Sequence, residues 1–209
     1  TIWKVLTNKD NVNRGETVVQ NNIKLMYITN DPKVAKIAES NGVDWIFVDL
    51  EIKGKIERQG HLDTVISKHK IEDIFPIKKE LSKSKLLVRV NPINEESELE
   101  IDRVINNGAD IVMLPFFKTK KEVEKFIAYV SNRAQTCLLL ETPEAVENLD
   151  EILEVNGIDY IHIGLNDLHL GYKRKFMFEL LADGTVDVII EKIKSSKIEY
   201  GFGGIAPLY

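Results

Sequence analysis

Glu141 and Asp167 are the residues whose types and setting most clearly suit them to chemistry. The apolar run Cys137-Leu138-Leu139-Leu140 stops at Glu141, and Tyr160-Ile161-His162-Ile163-Gly164 is followed shortly by Asp167. Between them, Thr142-Pro143 reads as a helix start. Thr serves as N-cap and Pro takes the first helical position, where its missing N–H costs nothing. Ala145, Val146, Leu149, Ile152 and Leu153 recur at helical spacing, and Asn156-Gly157 tolerates the left-handed angles that end a helix. Two parallel strands joined by such a helix would bring both carboxylates side by side at one end of a sheet. Neighbouring acids at the carboxyl ends of parallel strands suit a hard divalent cation, which takes oxygen ligands and keeps waters.

The elements that must position this pair alternate along the chain. Strands are predicted over residues 23–29, 44–48, 86–90, 111–114, 137–140, 160–164 and 200–206, with helices over 32–41, 71–81, 95–107, 143–153 and 185–195. Thr119-x-x-Glu122 is a capping box for one more helix, with Val123, Phe126, Ile127 and Val130 as its buried stripe. Seven strands alternating with helices, without a hairpin signal, indicate a TIM (β/α)8 barrel rather than a flat doubly wound sheet. Such barrels typically run to about 250 residues, and this chain has 209, so the eighth strand is expected to be missing. One barrel domain is expected over 1–209. Residues 1–22 form a lead-in, whose Ile2, Trp3, Val5 and Leu6 are expected to make a short turn plugging one end. Residues 52–70 form a long charged active-site loop, a length that is usually functional or disordered.

The strand carboxyl ends of a barrel face its active site. Here they carry Asp49 and Glu51, Arg89 and Asn91, Pro115, Glu141, and Asn166 with Asp167. Four converging acids repel one another, and a divalent cation removes that penalty. Mg²⁺ or Mn²⁺ would take these oxygens octahedrally and accept a bidentate oxyanion. Arg89, permanently charged and planar, suits a substrate carboxylate or a developing negative charge. His61 or His69 in the long loop could swing over the mouth as general acid or base. His162 reads as a satisfied core residue, and His169 could bond a ligating carboxylate. Cys137, inside an apolar strand, reads as a buried inert thiol.

Composition excludes other classes. A net charge of −5 argues against a nucleic-acid partner. No apolar run approaches the roughly 20 residues needed to span a bilayer. No charged-then-apolar leader is visible, so the cytoplasm is the expected compartment.

The segments VDLE (residues 48–51), LLVRVNP (86–92), GADIVMLP (108–115), LLLETPEAVENLDEIL (138–153) and IHIGLNDLHLGY (161–172) resemble the HpcH/HpaI aldolase and citrate lyase family. That family belongs to the phosphoenolpyruvate/pyruvate barrel superfamily. The resemblance implies a TIM barrel assembled as a homo-oligomer, a trimer or hexamer, with Mg²⁺ or Mn²⁺ binding a 2-oxo acid. Its reactions are aldol cleavages that release pyruvate, or Claisen-type cleavages of acyl-CoA esters. By position it implies Glu141 and Asp167 as metal ligands, Arg89 as the substrate and enolate arginine, and Asp49 as the aspartate ending the second strand. Two positions depart from the aldolase pattern. Ile52 stands where those aldolases carry an acid–base histidine, and Leu139 where a glutamine commonly precedes the metal glutamate. The wording leans toward the citrate-lyase-like side. The expected function is therefore a divalent-metal-dependent carbon–carbon lyase acting on a 2-oxo acid or acyl ester through a metal-stabilised enolate. Arg89, Asp49, Glu51 and His61 are the expected catalytic residues, with Arg89 and Asn166 binding substrate. The alternative is a non-catalytic barrel that binds a small carboxylate or serves as an assembly partner, having lost the histidine.

Overall fold

Runs such as Trp45-Ile46-Phe47-Val48 and Leu138-Leu139-Leu140 have no polar face to give to water, so their sheet must be covered on both sides. The computed structural model, which describes residues 2–7, 22–52, 68–196 and 198–203, meets this need by closing the sheet on itself. β1 (Ile2–Thr7), β2 (Asn22–Ile28), β3 (Trp45–Asp49), β4 (Lys85–Arg89), β5 (Ile111–Leu114), β6 (Gln135–Leu140), β7 (Tyr160–Gly164) and β8 (Glu199–Gly203) pair in sequence order, and β8 returns to β1. Strands β2 to β8 are parallel, as the TIM-type reading requires. Alternate side chains part to opposite faces. Met26, Phe47, Leu87, Met113 and Leu139 fill the interior, while Ile46, Val48, Leu86, Leu138 and Ile163 pack beneath the helices.

The eighth stave is present, contrary to the expectation from sequence, and it is β1. Residues 2–7 form a strand rather than a short turn, pairing antiparallel with β2 from Ile2 opposite Tyr27 to Thr7 opposite Asn22. On its other side Lys4 lies opposite Phe202 of β8. Seven parallel strands leave the facing sides of β2 and β8 with unmade backbone hydrogen bonds, which any extended segment reaching the gap can satisfy. An antiparallel stave needs no crossover helix, so it gives no strand–helix signal.

Side-chain caps mark the starts of several helices. α1 (Pro32–Ser40) starts at Asp31, whose side chain accepts from Lys33 and Val34 N–H at 2.8 and 3.3 Å. α2 (Ile74–Glu80) is entered through a 3₁₀ turn over Ile71–Asp73. α3 (Ser97–Asn106) follows β4, and α4 (Lys120–Val130) carries the Thr119–Glu122 capping box. The helix predicted over 143–153 is two pieces, α5 (Pro143–Glu147) and α6 (Leu149–Ile152). Asn148 marks the break, its side chain donating to the Lys118 carbonyl at 3.0 Å. α7 (Leu165–Gly171) starts directly at the end of β7, followed by α8 (Glu179–Ala182) and α9 (Thr185–Ser196). Among the described residues no helix is long and apolar enough to cross a membrane.

Glu39 fastens α1 to the turn that launches β4. Its Oε1 accepts from the backbone N–H groups of Ser82, Lys83 and Ser84 at 2.8, 2.7 and 2.9 Å, and Lys36 Nζ reaches Oε2 at 3.3 Å. Burial works against the charge, but these donors outweigh it and hold the carboxyl at about 2, below its ordinary 4.5. A folded value below the unfolded one gives stability that is present above pH 4.5 and lost as pH falls through about 2. Glu39→Gln is expected to cost about 1.5–3 kcal/mol at neutral pH. Urea melts of the variant should also show a shallower loss of stability across that acid range.

Candidate active site

The register of β3 and β4 sets Asp49 opposite Arg89 at the carboxyl end of the barrel. Arg89 Nε and Nη2 donate to Asp49 Oδ1 and Oδ2, both at 2.8 Å, the two-pronged geometry that a guanidinium and a carboxylate share. Arg89 Nη1 lies 3.3 Å from Glu51 Oε2, and the guanidinium stacks over the Phe47 ring at 5.5 Å. Asp49 also accepts from the Glu51 N–H at 3.1 Å. Only 8%, 1% and 2% of Arg89, Asp49 and Glu51 remain exposed. Burial by itself would favour a neutral side chain at Arg89. Asp49, Glu51 and Glu141 outweigh it, so the group is locked in its charged form.

The Asp49 N–H donates to His69 Nδ1 at 3.0 Å, which leaves the proton of the neutral ring on Nε2. One histidine of the long loop therefore reaches the barrel mouth, whereas His61 lies outside the described residues. Ile52 is exposed, and its N–H donates to Asn91 Oδ1 at 3.0 Å.

On β6 and β7, the pairing of Leu140 with Ile163 brings Glu141 beside Gly164. A Cβ at Gly164 would lie 3.0 Å from Glu141 Oε2, so the missing side chain is what gives the carboxylate its place. The Phe116 N–H donates to Glu141 Oε1 at 3.1 Å. Phe116 has φ 51°, a left-handed conformation that bulky residues rarely adopt and that clusters at functional sites. Asp167 is buried in the first turn of α7.

Glu141 and Asp167 line one cavity of about 580 Å³, walled also by Phe116, Lys118, Glu144, Glu147 and Leu170. Arg89 lies outside this lining, yet Glu141 is close enough to contribute to its charge. Two carboxylates on one roomy cavity fit a small hard cation that retains most of its waters. Among the described residues no group of three or more His, Cys, Asp or Glu is placed to hold a metal, so the donors suit such an open site and not an all-protein cage.

Other sequence candidates stand elsewhere. Asn166 is half-buried beside Asp167 but is not part of the cavity wall. His169 Nδ1 donates to the Leu165 carbonyl at 3.1 Å, bracing its own helix instead of a ligating carboxylate. His162 is buried in the barrel between Leu139 and Gly201. Phe116 and Gly164 escaped sequence reasoning, although Pro115-Phe116-Phe117 at a strand end was the available signal.

Burial, reinforced by Arg89, holds His162 at about 3, well below its ordinary 6.5. The unfolded chain takes up this proton below pH 6.5 while the folded chain does so only near 3, so the residue subtracts stability as pH falls between them. His162→Asn should lose about 2 kcal/mol less than the parent chain between pH 7 and 5 in urea melts.

Comparison with known proteins adds the lineage. The sequence model described as HpcH/HpaI aldolase/citrate lyase matches residues 23–198. The chain is similar to the 2-keto-3-deoxy-L-rhamnonate aldolase of Escherichia coli O17:K52:H18 (strain UMN026), at 25% identity over 239 residues, covering 97% of this chain and 81% of the relative. The protein of the same name from Shigella sonnei (strain Ss046) matches to the same extent. Among solved structures, an HpcH/HpaI aldolase from Desulfitobacterium hafniense DCB-2 shares the fold with TM-score 0.69 at 16% identity, covering 87% of this chain and 77% of that one. The citrate synthase SbnG shares it with the same TM-score, identity and coverage. With a match running from β2 to the residue before β8 and a barrel of the same architecture, the chain belongs to the HpcH/HpaI aldolase/citrate lyase family, a family of aldolases and lyases.

Proposed function

We propose that this chain is a divalent-metal-dependent carbon–carbon lyase that cleaves a hydroxylated 2-oxo acid to pyruvate and an aldehyde. The observation that carries this reading is the shared cavity of Glu141 and Asp167 beside a buried, permanently charged Arg89. The named substrate class of the Escherichia coli and Shigella relatives, a 2-keto-3-deoxy acid, supports it. Mg²⁺ or Mn²⁺ held by Glu141 and Asp167 would polarise the 2-oxo carbonyl.

The chain's own residues then have separable tasks. Asp49 takes two of the five N–H groups of Arg89 and Glu51 pairs with its Nη1 at 3.3 Å, so both position the guanidinium instead of moving protons. Its remaining donors can face the substrate oxygen on which negative charge grows as the carbon–carbon bond breaks, already oriented for that charge. In cleavage the C3–C4 bond breaks, the 4-hydroxyl gives up its proton to become the aldehyde, and C3 receives a proton. A loop histidine, His61 or the mouth-bound His69, is the residue type suited to that traffic. The charge cluster also bears on the non-catalytic alternative suggested by Ile52. Buried charges carry a desolvation cost that a merely structural site can avoid with apolar residues.

Pyruvate release from a panel of 4-hydroxy-2-oxo acids, alongside short acyl-CoA esters, tests the reading. Turnover that needs Mg²⁺ or Mn²⁺ and stops with EDTA is the expected result. Folded protein that turns over none of them above the metal-only background overturns it.

A further inference from the structure

Among the described residues, the wall of the 580 Å³ cavity carries four carboxylates and one lysine. Glu141 and Asp167 are matched by a divalent cation if the proposed reading holds. Lys118, the cationic side chain of the wall, is already spoken for, its Nζ lying 2.8 Å from Glu144 Oε1. Glu147 remains, an exposed carboxylate at the end of α5 with no ion pair among the described residues. Its charge reaches across the wall. Tyr172, which follows the cavity residue Gly171, has its phenol pushed up by burial and then by Glu147.

We infer that Glu147 selects the aldehyde partner, favouring a neutral hydroxyaldehyde over one that carries a carboxylate. This inference rests on the lyase reading and specifies its second substrate. The 2-oxo acid already brings one carboxylate into the cavity. A second one on the aldehyde would face Glu147 with no unpaired cation among the described residues of the wall to receive it, and recruiting Lys118 would strand Glu144. A hydroxyl, by contrast, donates to the Glu147 carboxylate and gains from it. Like-charge opposition of this kind is a device for rejecting a competitor rather than for binding the favoured substrate.

Glycolaldehyde and glyoxylate form a test pair of nearly equal size, one neutral and one anionic. Aldol addition of pyruvate to each is measured with the full chain and Mg²⁺, and kcat/KM for glycolaldehyde is divided by that for glyoxylate. For an exposed charge, the ratio should fall about threefold in Glu147→Gln and about tenfold in Glu147→Lys, and the effect should shrink in high salt. Circular dichroism confirms that each variant is folded, as expected for an exposed site. In parallel, exchange of the pyruvate methyl protons in D₂O without aldehyde reports on the lyase reading alone. Exchange together with an unchanged ratio in Glu147→Lys overturns the role of Glu147 and leaves the lyase reading standing. Neither exchange nor addition by the parent chain overturns both.

Discussion

Glu141→Gln is expected to lower turnover by about 10³-fold or more while leaving the barrel folded. The replaced group is buried, and its Oε1 accepts the Phe116 N–H at 3.1 Å. A glutamine carbonyl keeps that bond and fills the same volume beside Gly164, so the turn after β5 retains its anchor. What disappears is the negative charge facing the cavity. A hard cation bound there as proposed would be held by few protein oxygens, and replacing an anionic donor by a neutral one would remove much of its attraction. Calorimetry with Mn²⁺ should therefore show affinity weakened at least about 100-fold, the upper range even for groups that only support a ligand. The melting temperature should stay within a few degrees of the parent chain. A folded variant that binds Mn²⁺ unchanged would remove Glu141 from the ligand set.

The second large effect is on stability. Arg89→Met takes from Asp49 and Glu51, at 1% and 2% exposure, the guanidinium that both engage. Breaking a buried pair by deleting one partner costs about 3–5 kcal/mol, a large share of the total stability of most domains. Buried carboxylates that lose this positive charge relieve part of the cost by taking up protons. The deficit of the variant should therefore be greatest at pH 7.5 and shrink as the pH is lowered toward 5, the reverse of ordinary acid destabilisation. Arg89→Lys separates charge from shape. An ammonium restores the positive charge but cannot make the two bonds at 2.8 Å to Asp49. It should recover part of the stability and little of the activity. Urea melts of both variants at the two pH values check these expectations, and equal deficits at both pH values would refute the account.

The parts legible in sequence were those written locally. Apolar runs mark the seven parallel strands, and the residue types closing them single out Asp49, Arg89, Glu141 and Asp167. The Thr119–Glu122 capping box and the Asp31 cap mark helix starts because their chemistry lies within one turn. What was not legible depended on register or on distant partners. That Asp49 clamps Arg89 follows from β3 and β4 meeting in step, which spacing along the chain does not reveal. The left-handed Phe116 carries neither glycine nor asparagine to announce it. The break at Asn148 comes from a bond to the Lys118 carbonyl of another loop. The short helix that carries Asp167 has no start signal of its own, because α7 begins without any connecting residue after β7. β1 was missed because its direction departs from the repeating unit that every other strand obeys.

That reversed strand has a consequence beyond closure. Its peptide groups occupy both lips of the cylinder at once, the ones that β2 and β8 would otherwise offer to any passing polypeptide. A sheet with two naked borders is a template for growth from molecule to molecule. Six residues remote in sequence from every catalytic candidate thereby act as a guard against aggregation, and detaching them would leave the reactive groups in place while making the protein adhesive.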